Sequence, residues 1–521
     1  MLRRVSWRWW TSFAIFAALG LAWVLATPLF AAPDEPAHVV RAASVGRGQL
    51  LGTTPPADQQ VPPIGDAATV VTAPGIYRSA NRVACLAGHP NRPASCVAFH
   101  GSSAETHVQT YVGHHSPAYY APVGFLSRVV SPGAGQVYLM RIIGMLAIAA
   151  LLASALETLR RTVLPMWAGA GFAIALSPMV LFLGATVSPS GVEIGSAIAV
   201  WVHGSVLAKE ADDRVDPKVV DRLGIAACVL VLSRALSPLW LAVLGLVLLI
   251  LTSRSGLRAL VHSRRVWIWA GVLAACTAAQ LWWYAYGHPL SYFVGTPVHG
   301  SGVALVRTSF GKSSEMLREM IGVFGWLETR APAVTYLVWL LALGAIVALA
   351  LAVASARFVW ALLAATAAAV VIPVLVEAAG AHEAGFIWQG RYSLPLAVGV
   401  PIIAGVGVGS SETASRLGRR LALVLVASLA VAQILAFTQA IRRYAVGAHG
   451  PLWFFGHGQW SPPGTAPVLI VGFALAIAAG LWWIVLAPPR WRGHGGEGSA
   501  DLAVGVPTAA PVAAADAAVT V

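Results

Sequence analysis

Asp34 and Glu35 stand side by side between two prolines, in Pro33-Asp34-Glu35-Pro36-Ala37-His38-Val39-Val40-Arg41, within a chain in which only 11% of residues are charged. Carboxylates are the groups that take a proton from a reacting hydroxyl. Proline is tolerated in the first turn of a helix, so a helix opening at Pro33 or Pro36 sets Asp34, His38 and Arg41 at i, i+4 and i+7 on one face. An acid, a titratable imidazole and a fixed cation then address the same space. The plainer reading is capping: Asp at a helix start contributes about 1 kcal/mol, and Glu35 beside it complements the helix dipole. Capping by itself leaves His38 and Arg41 unexplained.

Four other stretches carry candidate groups. In Val112-Gly113-His114-His115-Ser116-Pro117-Ala118-Tyr119-Tyr120, His114 and His115 offer hydrogen bonds or metal ligation, and Tyr119 and Tyr120 offer ring faces to a sugar; an interfacial aromatic belt is the alternative. Trp388-Gln389-Gly390-Arg391-Tyr392 places a guanidinium suited to bidentate phosphate binding at the mouth of a span, or else one that merely snorkels. His382 and Glu383 lie close by in sequence. Glu193 follows the Ser188-Pro189 bend, where a helix dipole favours an acid. Trp326 and Glu328, in Gly325-Trp326-Leu327-Glu328, precede another span and read either as site residues or as an interfacial anchor.

What must position these groups is a membrane bundle. With 58% hydrophobic residues and a mean hydropathy of +0.73, the chain has many windows beyond the ~20 apolar residues that cross a bilayer. Spans are expected at about 9–30, 136–156, 164–186, 190–208, 223–236, 238–252, 266–287, 333–354, 358–378, 392–410, 421–441 and 467–487. The weak point is 223–252, interrupted at Ser233-Arg234-Ala235-Leu236-Ser237-Pro238. The net charge of +13 lies largely in short loops that alternate along the chain, as the positive-inside rule requires. This excludes a nucleic-acid reading of the charge and places both termini in the cytoplasm.

The expected organisation is therefore an all-α polytopic membrane protein. It comprises a cytoplasmic start (1–8), a membrane domain (9–487) of about 12 helices, and a disordered tail (488–521) rich in Gly, Ala, Pro and Val. Arg3, Arg4 and Arg8 before an apolar run resemble a signal peptide, but the run is long and lacks a good cleavage site. Outside the membrane lie a large first loop (31–135) and a second one (288–332), in which the amphipathic Ser313 to Ile321 is expected on the membrane surface. Cys85 and Cys96 share the first loop and, in an oxidising exterior, form either a disulfide or two free thiols. No cysteine spacing suits a metal site.

A first span followed by Pro33-Asp34-Glu35-Pro36-Ala37-His38, then His115-Ser116-Pro117-Ala118-Tyr119-Tyr120, Gly325-Trp326-Leu327-Glu328 and Gln389-Gly390-Arg391-Tyr392-Ser393-Leu394-Pro395 resembles the bacterial membrane family catalogued as domain of unknown function 2142. That family is similar to the GT-C superfamily of membrane glycosyltransferases. The resemblance implies a GT-C-like bundle in the bacterial cytoplasmic membrane, with Asp34 as catalytic acid or base and Glu35 second. It also implies a polyprenyl-phosphate sugar donor and a glycan or lipid-linked acceptor of the cell envelope. Two departures stand out: Ser190 where a carboxylate or amide is expected, and His115-Ser116-Pro117 in place of a His-Pro-Pro type motif. On this reading Asp34 is the base, Arg391 with Arg41 holds the leaving phosphate, and His38, Tyr119, Tyr120, Trp388 and Tyr392 shape the substrate site. A divalent cation, Mg or Mn, could ligate Asp34 and Glu35. The alternatives are a transporter or flippase of lipid-linked or small polar substrates, and a noncatalytic envelope-assembly protein. Ionisable groups at helix ends and the lack of a visible internal repeat favour the enzyme over the transporter.

Overall fold

The structure is a computed structural model that describes residues 6–55, 69–78, 85–97, 100–160, 165–289, 296–411 and 419–486. The expected tail from 488 onward, and Arg3 and Arg4, lie outside the described residues. Helix α1 (Trp7–Ala26) leads through a tight turn into the short α2 (Glu35–Val45). The first loop carries structure of its own: strands β1 (Thr69–Pro74) and β2 (Glu105–Thr110) pair antiparallel, Cys85 and Cys96 are disulfide-bonded, and α3 (Pro117–Ser127) closes the segment.

The bundle then runs through α4 (Ala134–Leu159), α5 (Pro165–Ala175), α6 (Pro178–Gly184), α7 (Pro189–Glu210), α8 (Pro217–Ser233), α9 (Ser237–Leu251), α10 (Arg254–His262) and α11 (Arg264–Gly287). Helices α12 (Gly302–Gly311) and α13 (Ser313–Gly322) and the two-residue strands β3 (Val323–Phe324) and β4 (Thr329–Arg330) precede α14 (Ala333–Val353). Helices α15 (Ala356–Ala384), α16 (Gly390–Ala397), α17 (Gly399–Gly409), α18 (Arg419–Val446) and α19 (Ala466–Leu481) complete it. In hydrocarbon each backbone polar group needs an internal partner, so long apolar runs become helices. The protein is an all-α polytopic membrane protein.

Among the described residues nine helices are long and apolar enough to cross a membrane, or ten if the α5–α6 pair, bent by 65°, is one span. The other two of the twelve expected spans are also helices, but short ones. These are α8 and α9, of 17 and 15 residues, which meet at Arg234 as a helical hairpin. The α5–α6 bend has a local cause: Ser177 caps α6 by accepting from Val180 N, and Pro178 occupies the first turn.

Helix α7 is wholly buried along its apolar window, and α16–α17 nearly so; these are the central elements. Small residues let backbones close up, as where Gly171 of α5 meets the Pro401 carbonyl and Gly405 of α17. Trp23 anchors the core, ringed by Phe182, Phe324, Phe437 and Phe473 at centroid distances of 5.0–6.4 Å. The amphipathic segment Ser313 to Ile321 forms α13, one face of which packs on the start of α16: its Met316 carbonyl and Glu319 close over Gly390, leaving no room there for a Cβ.

Candidate functional site

The site lies at the end of the bundle where α1 stops and α7 and α16 begin. Its frame is Arg141 of α4, fully buried, whose guanidinium donates to the carbonyls of Val24 (3.0 Å), Thr27 (2.6 Å) and Pro28 (2.8 Å). The same group pairs with both Glu35 oxygens, at 2.7 and 2.6 Å. Glu35 also accepts from the backbone N–H of Phe30 (3.0 Å) and of Val187 (2.9 Å). The turn is thus gripped from inside, and Phe30 and Asp34 are held at φ 66° and 62°. Non-glycine residues avoid this left-handed region at a cost of order 1 kcal/mol or more.

That conformation decides what Asp34 does. It occupies the N-cap position of α2 but makes no side-chain cap bond. Its carboxylate turns instead to Arg391, whose Nη2 donates to Oδ2, and to Tyr111, whose hydroxyl donates to Oδ1 at 2.6 Å. Capping is therefore not its role. Arg391, 357 residues away, also donates to the Pro33 carbonyl (3.3 Å) and the Tyr392 hydroxyl (2.9 Å). Burial pushes the Asp34 carboxyl up, but Arg391, His38 and the Tyr111 hydrogen bond outweigh it and hold the group well below the usual carboxylate range. The side chain remains 28% exposed while Arg391 is 1% exposed, so the carboxylate is the accessible partner.

His38 follows one turn on, its Nδ1 sharing a 2.8 Å hydrogen bond with Tyr120 and its ring 6.4 Å from that of His115. Burial, with Arg234 and Arg391 adding to it and Asp34 opposing, lowers His38 to about 3. His115 is held well below its ordinary value by burial, with His38, Arg234 and Arg41 adding to it. Both imidazoles are neutral at physiological pH. Arg41 donates to the carbonyls of Leu50 and His115, each at 2.7 Å; its Nε and Nη1 are buried without a hydrogen-bond partner. Burial lowers it to about 10.

Beside this cluster is a cavity of about 500 Å³ lined by Glu193, Arg234, Trp240, Glu377, Trp388 and Tyr392 among others. Arg234 lies over the Tyr392 ring at 4.7 Å, donates to Ser190 Oγ at 3.0 Å and stands 3.7 Å from Glu193. Trp388 meets Trp240 and Tyr392 edge-on, at 6.1 and 5.5 Å. Its backbone N–H donates to Glu377 (3.1 Å) and its indole to Ser393 (2.9 Å). Tyr392 joins the two halves, with its ring on the cavity and its hydroxyl on Arg391.

A family model described as predicted membrane protein, DUF2142, matches residues 17–400. The chain belongs to the DUF2142 family. No curated protein matches it. The matched stretch contains both Asp34 and Arg391, so the pair is internal to the DUF2142 region.

Within this DUF2142 protein the predicted residues separate into two groups. Asp34, His38, Arg41, His115, Tyr120, Arg391 and Tyr392 come together as expected, and Glu193 and Trp388 line the adjoining cavity. Glu35 does not join them. With both oxygens on Arg141 it is a structural anchor, and consecutive helix-start residues point about 100° apart. For the same reason the Asp34–Glu35 pair does not fit a divalent cation: both carboxylates already carry cationic or hydrogen-bonding partners, and they diverge. Among the described residues no group of three or more His, Cys, Asp or Glu could hold a metal ion.

His114 lies between the carbonyls of Gly52 (2.8 Å) and Gly287 (2.6 Å), tying the first loop to the end of α11. Tyr119 turns toward Gly144 of α4. Trp326 donates to the Phe30 carbonyl at 3.1 Å, supporting the Asp34 turn from behind. Glu328 pairs with Arg443 (3.3 Å), which also donates to the carbonyls of Arg92 and His89 in the disulfide loop. Gln389 sits at the N-cap of α16 without a side-chain cap bond. Three members escaped the sequence reading: Arg141, Tyr111 and Arg234. A charge inside a span is itself a signal, and it could have found Arg141.

Proposed function

We propose that this protein is a membrane glycosyltransferase that moves a sugar from a polyprenyl-phosphate donor to a cell-envelope acceptor on the outer face of the bacterial cytoplasmic membrane. The observation that carries this reading is one ionised, partly exposed carboxylate, Asp34, fixed by Arg391 and Tyr111 beside an aromatic-walled cavity that holds an arginine. Asp34 takes the proton of the acceptor hydroxyl as its oxygen bonds to the anomeric carbon. The bond from that carbon to the phosphate oxygen breaks, and the polyprenyl phosphate departs. A phosphate leaving group needs no proton, so a second carboxylic acid of the hydrolase kind is unnecessary.

Arg391 spends both terminal nitrogens on Asp34, Pro33 and Tyr392, so its role is to orient the base. The accessible cation is Arg234, 25% exposed by its side chain and on the cavity wall; it receives the phosphate. The bent α5–α6 pair is the feature that would favour a transporter, since discontinuous helices line transport sites. Here the break is filled: Ser177 Oγ donates to the Met320 carbonyl at 2.6 Å and caps α6.

The test is transfer of labelled sugar from a panel of polyprenyl-phosphate sugars to envelope glycans by the full chain in nanodiscs. Asp34→Asn should lower turnover by about 100-fold or more, the range for a positioned base, and Arg234→Gln should raise KM for the donor. Turnover by Asp34→Asn equal to the parent would sink the assignment.

A further inference from the structure

Helix α10 sits at the end of α11 away from the candidate site. Gly287, the last residue of α11, hydrogen-bonds His114, and the 24 residues of that helix put Arg264 about 36 Å from it. One face of α10 is fixed to the protein. Ser253 caps the helix by accepting from Gly256 N at 2.8 Å, Gly256 lies against Ala211 and Asp212, and Leu260 packs with Leu207, Val219 and Val220. The other face is bare. Arg254 and Arg258 stand there at i and i+4, and Leu257 and Val261 form a second exposed row beside them. The exposed Trp267 continues the apolar row, its indole donating to the Val261 carbonyl at 2.8 Å.

Like charges one turn apart oppose each other, and the neighbouring acids are spent elsewhere. Asp212 accepts from Ser253 and Ser255 and stands 3.7 Å from Arg357, and Asp221 pairs with Arg265. Among the described residues no carboxylate pairs with Arg254, Arg258 or Arg264. Positive charge in a short loop satisfies the rule of orientation wherever it points. A guanidinium pair beside an exposed apolar row is narrower, because it joins groups that fork onto a phosphate to an anchor that enters the acyl boundary. We infer that α10 is a docking surface for an anionic glycerophospholipid, with the headgroup phosphate between Arg254 and Arg258 and with Leu257, Val261 and Trp267 against the chains. A soluble phosphate leaves the apolar row unused, and a zwitterionic headgroup brings its own cation against the arginines. The inference is independent of the glycosyltransferase reading, since α10 contributes nothing to the Asp34 site.

The experiment is calorimetric titration of the full chain in a nonionic detergent with short-chain phosphatidylglycerol, set against short-chain phosphatidylcholine, with inorganic phosphate as competitor. Each arginine near an anionic headgroup is worth about fivefold, so phosphatidylglycerol should bind about thirtyfold tighter than phosphatidylcholine. That preference should shrink as salt is raised. Replacing both arginines, Arg254→Gln with Arg258→Gln, should cut it to about twofold or less. Both positions are exposed, so thermal unfolding of the lipid-free double variant should match the parent. Leu257→Gln should weaken both lipids alike and keep the preference. Equal affinity for the two lipids, a preference that survives the double variant, or displacement of phosphatidylglycerol by inorganic phosphate would overturn the inference.

Discussion

Two arginine–carboxylate pairs start from neighbouring residues and end in opposite conditions. Glu35 and Arg141 are both fully buried, and every Glu35 oxygen and Arg141 nitrogen has a partner among named groups. Asp34 and Arg391 are unequal: the arginine is buried, the carboxylate is more than a quarter exposed, and Asp34 sits in a strained backbone conformation. A saturated pair has no capacity left for a substrate, and its work is to hold three stretches of chain together. A strained, accessible carboxylate with its charge fixed is the local exception that structures keep where they act. Glu35 is in this sense the cause of Asp34, since the grip of Arg141 on the turn forces its neighbour outward.

The comparison is broken most directly at Glu35. Glu35→Gln leaves Arg141 buried with an uncompensated charge, which costs about 3–5 kcal/mol, and thermal unfolding in detergent should show a large drop or loss of folded protein. Adding Arg141→Gln should recover part of the loss, because the two groups are one unit. A Glu35→Gln protein as stable as the parent would remove the anchor role.

A smaller effect comes from the imidazoles that pack behind Asp34. His38 falls from 6.5 unfolded to about 3 folded, so the folded state refuses a proton that the unfolded chain accepts. Its stability is fully present above about pH 6.5 and is lost as pH falls toward 3, at about 1.4 kcal/mol per pH unit. His115 shifts in the same direction. Asp34 has the opposite chemistry: its carboxyl is held low, so its contribution is present above 3.8 and does not change between pH 7 and pH 5. Over that interval Asp34 adds nothing to the slope of unfolding free energy against pH, and His38→Gln should flatten that slope by about 1.4 kcal/mol per unit. An unaltered slope would mean that His38 is not held neutral.

The sequence reading reached the pairing of function-bearing types but not their geometry. Helical spacing put His38 and Arg41 on one short helix, but Asp34 stands just outside it in a left-handed conformation; Asp34 and Arg391, both singled out in the sequence, pair directly across 357 positions rather than on two sides of a substrate. It failed where it treated adjacent acids as a pair, because a helix start sends consecutive side chains in different directions and only tertiary structure says which meets Arg141. At α8–α9 both short apolar runs and the break between them were legible, and the structure forms them as two helices on either side of Arg234; only their marginal length sets them apart from the other spans. The cavity was illegible in principle: Glu193, Arg234 and Glu377 come from α7, the α8–α9 turn and α15, and no local pattern records that they converge. Ser190, which departs from the expected acid, becomes intelligible once Arg234 is seen to donate to it.

The finest test of the comparison is Asp34→Asn, because it separates stability from chemistry at one atom. Asn tolerates the left-handed backbone about as well as Asp, and its carbonyl oxygen still accepts from Arg391 or Tyr111. What is lost is one charge in a pair whose carboxylate is partly solvated, where such pairs are worth far less than in the dry interior. Because Arg391 stays buried with its charge beside a partly solvated position, the expected cost is about 2 kcal/mol in unfolding, below that of Glu35→Gln, while turnover falls by about 100-fold. A destabilisation as large as that of Glu35→Gln would place Asp34 with the anchors, and the exposed carboxylate would then be one more clamp on the turn.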